Sequence, residues 1–95
     1  EKRLKDIAKG TQGVKEVYIY GSYAKSKMDA NSDIDLLVIG NHSIISIQKN
    51  ITILQREANR EINIIHMDEK EYEKRIKNND SFILEILHNK HIKLT

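Results

Sequence analysis

The spacing of apolar residues along the chain predicts where helices and strands lie. From Ser43 to Ala58 apolar residues recur at intervals of three and four, the pattern of a helix that packs one face on a sheet. Three runs rich in β-branched and aromatic residues predict strands over residues 14–20, 33–39 and 61–67. The second run is apolar on both faces beyond its first carboxylates, which is typical of an interior strand.

Capping and turn residues predict the shorter elements between these segments. The first is a helix that ends at Gly10, and a second helix runs from Ser22 to Met28 before a turn at 29–32. A capping box of Asp68 and Glu71 begins a helix that continues to about Lys77. Asn79 or Asp80 caps a further short helix, and an edge strand follows over 91–94. The predicted order is therefore helix, strand, short helix, strand, long helix, strand, two helices and a final strand.

This order predicts an α/β (α+β) fold with a mixed β-sheet of three to four strands covered by helices. The link between the second and third strands is long and helical, so these strands are expected to be parallel. The shorter link between the first and second strands can fold back, so the end of the first meets the start of the second. Such a path would place Gly21 and Ser22 beside Asp33 and Asp35.

The length of the chain limits what it can contain. With 95 residues and no Pro-rich or Gly/Ser-rich seam, residues 1–95 are expected to form a single domain. A chain of this size buries one sheet covered by helices and little more. A second lobe that selects an acceptor is therefore not expected within these residues.

Composition disfavours several classes of function. A formal net charge of +2 is far from the clustered basic excess of proteins that grip nucleic acid, so general nucleic-acid binding is not expected. No apolar run is long enough to span a bilayer, so no membrane association is expected and the expected location is cytoplasmic. The lack of cysteine excludes disulfides and thiolate chemistry.

Two aspartates at the start of the second predicted strand are the first candidates for chemistry. Asp33 and Asp35 are two residues apart, so both side chains leave the same face, and their charges repel unless a cation lies between them. Carboxylate oxygens suit a hard divalent cation, so Mg²⁺ is the expected cofactor and Mn²⁺ is expected to substitute for it. Taken alone, the pair would better fit a turn cap at Asp33 and an ion pair between Asp35 and a lysine, and only its spacing from Gly21 and Ser22 favours the metal site.

The end of the first predicted strand supplies a candidate phosphate site. Gly21 lets a phosphate approach the backbone, and Ser22 opens a helix whose first N–H groups and hydroxyl attract an anion. Lys25 and Lys27 are candidates for neutralising a triphosphate, although both also suit a solvated helix face. A metal site beside a phosphate site indicates a nucleoside triphosphate held for phosphoryl or nucleotidyl transfer.

These residues together resemble a known signature. Gly21 and Ser22, ten intervening residues and the run Asp-Ile-Asp-Leu-Leu-Val over 33–38 are similar to the motif of the nucleotidyltransferase superfamily that includes DNA polymerase beta. The resemblance is strongest to the minimal nucleotidyltransferase domains of bacteria and archaea. Ala24 and Ser32 also lie where that superfamily tends to have alanine and serine.

The resemblance implies roles for the motif residues and a partner. Gly21 and Ser22 would contact the triphosphate, and Asp33 and Asp35 would bind the metal. The domain would move a nucleoside monophosphate from an NTP, with ATP the expected donor, to an acceptor hydroxyl. Because no acceptor lobe is expected, a helical partner protein, a homodimer mate or a fused domain outside these residues would complete the enzyme, and a toxin–antitoxin pairing is the expected setting.

One position departs from the pattern that the resemblance implies. Members of the superfamily usually carry a third carboxylate on the third strand, and here that position is Asn63, whose amide is neutral and takes no proton. Glu61 is two residues earlier on the same face and is the candidate third catalytic acid. If Glu61 does not serve, the domain would be a catalytically degenerate module that binds a nucleotide or a partner.

A few further side chains have two readings each. Tyr23 can pack in the core or line the nucleotide pocket, and the apolar residues around Phe82 can belong to the core or to a partner interface. The four histidines lack the spacing of a zinc site. His66, on the third predicted strand, is the one histidine expected to approach the cleft.

Overall fold

The computed structural model describes residues 2–25 and 33–95. Its elements are α1 (Lys2–Gly10), β1 (Val14–Tyr20), α2 (Gly21–Lys25), β2 (Ile34–Gly40), α3 (Ile44–Ala58), β3 (Ile62–Met67), α4 (Glu69–Lys77), α5 (Ser81–His88) and β4 (Ile92–Lys93). These bounds agree with the predicted elements to within a residue or two. The predicted end of the second helix at 26–28 and the turn at 29–32, with Lys27 and Ser32, lie outside the described residues.

The four strands form one mixed sheet in the order β3-β2-β1-β4. β2 and β3 are parallel, in register from Ile34 opposite Ile62 onwards. β1 is antiparallel to β2 and ends with Tyr20 opposite Asp35. Both relationships confirm what the lengths of the connecting segments predict, because a long helical link joins the parallel pair and a short one joins the antiparallel pair.

β2 is buried on both faces, as its apolar run predicts. Leu36 and Val38 pack toward α1 and α3, whereas Leu37 and Ile39 pack toward α5, and none of the four is more than 1% exposed. Burial of each such side chain stabilises the fold by about 1.5–3 kcal/mol. The sheet therefore has a core on each side, and a residue's position along a strand decides which helices it meets.

The start of α5 is fixed by Asp80. Its Oδ1 accepts hydrogen bonds from the backbone N–H groups of Phe82 and Ile83, at 3.0 and 3.2 Å. Of the two predicted caps, Asp80 is the one that acts, while Asn79 takes a left-handed backbone conformation with φ of 54°. The cap sets where α5 begins and so positions Phe82 over the sheet.

The starts of α3 and α4 are also capped by side chains. Ser43 accepts from the backbone N–H of Ser46 at the start of α3, and Asp68 accepts from that of Glu71 at 2.7 Å. The capping role predicted for Asp68 is thus confirmed. In the part of the chain that the structure describes, no helix has both the length and the apolar character needed to cross a bilayer.

Candidate nucleotide and metal site

Gly21 lies directly against the carboxylate of Asp35. The chain leaves β1 at Tyr20, which is opposite Asp35, and Gly21 follows with φ of +76°. A Cβ at Gly21 would be 2.6 Å from Oδ2 of Asp35, so the carboxylate would have to shift to admit one. Glycine alone suits both the backbone angle and this approach. The juxtaposition of Gly21 and Asp35 that the strand order predicts is therefore present.

Asn63 is the neighbour of Asp35 on the other side. The two residues are in register across the parallel β2–β3 pair, and the Asn63 Nδ2 donates a hydrogen bond to Oδ1 of Asp35 at 3.2 Å. This hydrogen bond holds the Asp35 carboxylate against β3. Asn63 thus occupies the position beside Asp35 that a third carboxylate would occupy, and it meets Asp35 as a hydrogen-bond donor.

Asp33 and Glu61 lie side by side at the entrance to the same pair of strands. The backbone N–H of Ile34 donates to the carbonyl of Glu61 at 3.0 Å, which ties the residue after Asp33 to Glu61. Both acids are exposed. They precede Asp35 and Asn63 by two residues each, so they belong to the same face of the sheet.

The charge of Asp35 affects the pKa of Tyr20, which lies opposite it on β1. Burial, and secondarily the carboxylate of Asp35, raise the pKa of Tyr20. The phenol of Tyr20 therefore stays neutral beside Asp35, which is half-buried. A half-buried carboxylate of this kind is a favourable place for a cation.

The donor atoms at this strand entrance suit a hard divalent cation. Asp33 and Asp35 offer carboxylate oxygens and no sulfur or imidazole, which is the donor set that Mg²⁺ prefers. Across residues 2–25 and 33–95, no three His, Cys, Asp or Glu side chains converge into a group that could hold a metal by themselves. The two aspartates therefore fit Mg²⁺ in the way it binds many enzymes, where one or two carboxylates are completed by substrate phosphates and water.

The predicted phosphate residues lie next to this carboxylate site. Ser22 and Lys25 are both exposed, and they lie on α2, which follows Gly21 without a break. Lys25 and Gly21 line the same cavity, so the lysine is on the side of Gly21 that is open to a ligand. Gly21 thus adjoins Asp35 and shares a cavity with Lys25, and Ser22 is exposed on α2.

Tyr23 packs on the opposite side of the sheet. It belongs to the core formed with α1 and α3, and the Arg60 guanidinium lies over its ring at 5.2 Å from the centroid. The cavity that Tyr23 lines also contains Arg3 and Leu54, and it is separate from the cavity beside Gly21. Of the two readings of Tyr23, the structure supports packing.

His66 is far from the aspartates along the sheet. It lies near the end of β3, while Asn63 and Glu61 are at its start. Its Nδ1 is 3.0 Å from Nε2 of His42, and the two rings line a cavity of about 370 Å³ with Asp68 and Glu71. Burial lowers the pKa of both imidazoles. The expectation that His66 approaches the cleft is wrong, because the cleft forms at the other end of the strand.

Residues of α5 border the site without any local signal in the sequence. A cavity of about 230 Å³ extends from Gly21 to α5 and is lined by Phe82, Glu85 and Asn89 of that segment. The apolar spacing of 81–88 predicts the helix, but only the path of the chain brings it to the end of β1. The surface around Gly21 therefore includes residues that lie about 60 positions later in the chain.

The structure is thus an α+β domain with a mixed sheet covered by helices, in which a glycine lies against one of two aspartates at the start of a strand. Comparison with family models places this domain in a known family. The model described as "Nucleotidyltransferase domain" matches residues 1–93, so the chain belongs to this nucleotidyltransferase family. A search among curated proteins found no significant match.

Solved structures share the fold. Two are crystal structures of the toxin–antitoxin pair MntA-HpeT carrying mutations, with TM-scores of 0.66 and 0.61 and identities of 11% and 14%. A third is a toxin–antitoxin crystal structure with AMP-PNP, at a TM-score of 0.65 and 13% identity. Each of the three covers 99% of this chain. This chain covers 71% of the first MntA-HpeT chain, 69% of the second and 71% of the chain in the structure with AMP-PNP. At these identities the likeness establishes the fold.

Proposed function

We propose that this domain transfers a nucleoside monophosphate from an NTP, with ATP the expected donor, to the hydroxyl of an acceptor. The observation that carries the proposal is the contact of Gly21 with Asp35, because it sets a glycine backbone that a phosphate can approach directly against a carboxylate suited to a cation. Membership of the nucleotidyltransferase family supports the same reaction.

Each residue has a distinct part in the proposed reaction. Gly21 and Ser22 receive the triphosphate, and Lys25 offsets part of its charge. Asp33 and Asp35 hold Mg²⁺, which when bound would stabilise the charge on the phosphate oxygens. Asn63 orients Asp35 through its hydrogen bond to Oδ1.

The transfer exchanges one P–O bond for another. The acceptor oxygen bonds to the α-phosphorus as the bond from that phosphorus to the β-bridging oxygen breaks, and pyrophosphate leaves. The acceptor hydroxyl loses its proton, and Glu61 is the candidate to take it because it lies exposed at the same strand entrance.

An acceptor must come from outside the described residues, since the elements form one sheet with its helices. A helical partner protein or a second copy of the chain would supply it. Support for a partner comes from the fold neighbours, which are crystal structures of toxin–antitoxin pairs, and an antitoxin-like role in such a pair is part of the proposal. The neighbour crystallised with AMP-PNP supports an adenine nucleotide as donor.

Asn63 favours a second candidate function. A neutral amide beside Asp35 leaves one carboxylate fewer than the usual set, which suits a module that binds an NTP or a partner without turnover. The same residues would then bind the nucleotide, and Glu61 would have no part in it.

Transfer of label distinguishes the two candidates. The protein would be incubated with α-labelled ATP, Mg²⁺ and candidate partners, as wild type and as Asp33→Asn, Asp35→Asn and Glu61→Gln, with the exposed Asp6→Asn as a matched control. Transfer that is lost in Asp35→Asn and kept in Asp6→Asn supports the enzyme. Transfer that survives Asp35→Asn overturns it, and ATP binding without transfer by wild type favours the module.

A further inference from the structure

The cavity between Gly21 and α5 adjoins the proposed triphosphate site and is not used by it. Gly21 and Lys25 line one end of this cavity of about 230 Å³, and Phe82 and Ile86 of α5 line another part. A ligand whose phosphates lie at Gly21 therefore has an open space to one side. What fills that space depends on the chemistry of the walls.

The cavity is on the same side of the sheet as Asp35. Tyr20 lines it, belongs to the core on the α5 side and is opposite Asp35 in the β1–β2 pair. The Phe82 ring meets the Tyr20 ring edge-to-face, with centroids 5.9 Å apart and planes at 89°. A ligand can consequently reach from Asp35 to Phe82 without crossing the sheet.

The walls combine flat apolar surface with polar groups at the rim. Tyr20, Phe82 and Ile86 supply the apolar part, and a phosphate alone would form no favourable contact with aromatic rings. A nucleobase would, because its face stacks on such rings and its edge needs polar partners. An anionic chain joined to a flat polar-edged ring is the ligand that matches a cavity lined by both Lys25 and Phe82.

The polar groups of α5 favour a particular edge of the base. Glu85 has only acceptor oxygens when ionised, and Asn89 already donates its Nδ2 hydrogen to the Glu85 carbonyl at 2.7 Å. Lys25 and Lys90 line the same cavity as hydrogen-bond donors, whereas the Glu85 carboxylate presents acceptors only. A base with an exocyclic amino group supplies the matching donor.

We infer that this cavity receives the base of the nucleotide, stacked against Phe82, and that Glu85 selects bases carrying an exocyclic amino group. The inference rests on the proposed function, because it takes the triphosphate to lie at Gly21. It adds α5 to the nucleotide site and assigns it the recognition of the base.

Equilibrium binding with two ligands tests the inference. Affinities for ATP and for inorganic tripolyphosphate, both with Mg²⁺, would be measured for wild type, Phe82→Ala and Leu87→Ala. Leu87 is the matched control because it is a partly buried residue of α5 that packs on the same core and is outside the cavity lining. We expect Phe82→Ala to weaken ATP binding about tenfold and to leave tripolyphosphate binding unchanged, and we expect Leu87→Ala to change neither.

The exposed Glu85 provides a variant that does not depend on the core. ITP differs from ATP by a carbonyl in place of the amino group, so wild type should prefer ATP and Glu85→Gln should lose most of that preference. Equal losses for ATP and tripolyphosphate in Phe82→Ala, or an unchanged ATP preference in Glu85→Gln, would overturn the inference.

The same measurements separate this inference from the proposed function. Binding of ATP that depends on Phe82 but is followed by no transfer of label would remove the transferase and leave the base site in place. Transfer that depends on Asp35 but not on Phe82 or Glu85 would support the transferase and contradict the base site. If wild type bound neither ATP nor tripolyphosphate, both the proposed function and the base site would be contradicted.

Discussion

The Asn63 side-chain amide donates a hydrogen bond to Oδ1 of Asp35 across the parallel β2–β3 pair, at 3.2 Å. On its other side, Oδ2 of Asp35 faces Gly21 so closely that a Cβ would be 2.6 Å away. One carboxylate thus joins the third strand to the end of the first. The chemistry expected of this strand entrance depends on these two neighbours as much as on the acid itself.

Replacing Asn63 with aspartate should make the site depend more strongly on metal. Asn63→Asp exchanges a donor to Asp35 for a second negative charge, so without cation the free energy of unfolding should fall by about 1 kcal/mol. Mg²⁺ should restore it, and the rate of label transfer should rise about tenfold. Thermal unfolding in EDTA and in Mg²⁺ measures the first effect, and the labelled-ATP assay measures the second.

Asn63→Ser is the comparison, because it also removes the amide but adds no charge. A metal response in Asn63→Asp no larger than that of Asn63→Ser would contradict the idea that Asp35 shares its site with position 63.

Replacing Gly21 with alanine should damage both the fold and the site. The new methyl group meets Oδ2 of Asp35 and the residue must hold φ of +76°, so Gly21→Ala should cost about 1–2 kcal/mol in the free energy of unfolding. It should also weaken tripolyphosphate binding. Urea unfolding and equilibrium binding measure the two losses.

Gly10→Ala is the matched control for that substitution. Gly10 ends α1, and a Cβ there meets nothing within 4 Å, so alanine should leave stability unchanged or raise it slightly. Equal losses at the two glycines would show that the close approach to Asp35 is not the cause.

The paired histidines should make stability fall in mild acid. His42 and His66 have lowered pKa values in the folded protein, chiefly through burial, and the unfolded chain therefore takes up more protons below about pH 6.5. Stability contributed by the neutral pair is present above that pH and declines as pH falls through the folded pKa values. Asp68 and Glu71 line the same cavity, yet the net direction remains downward.

Urea unfolding between about pH 5 and pH 8 would measure this decline. The double variant His42→Gln, His66→Gln should flatten the slope, whereas His88→Gln should not, since His88 is exposed. A slope that survives in the double variant would mean that other groups set the acid sensitivity.

Removing the cap of α5 should loosen one wall of the base cavity. Asp80→Ala loses the acceptor for two backbone N–H groups, which should cost about 1 kcal/mol. ATP binding should weaken more than tripolyphosphate binding, because Phe82 is on α5. Asn79→Gly serves as the control and should be neutral, as Asn79 already has a left-handed backbone that glycine adopts freely.

The elements and their order follow from the sequence because their causes are local. Periodicity in 43–58 reports which side of α3 is buried, and the apolar run of 34–39 reports a strand covered on both faces. The length of each link then fixes parallel or antiparallel pairing. The placing of Gly21 beside Asp35 follows from these steps alone.

Other features required the tertiary structure because they join residues that are remote in sequence. The Asn63–Asp35 hydrogen bond depends on the register of β2 and β3, and the approach of Phe82 to Tyr20 depends on how α5 returns across the sheet. Tyr23 and His66 lie outside the site for the same reason. Their neighbours in sequence do not determine on which face of the sheet, or at which end of a strand, each side chain lies. Local pattern thus determined the acid–glycine motif and the fold, while packing between distant segments decided what surrounds the motif and which surface is left for a base.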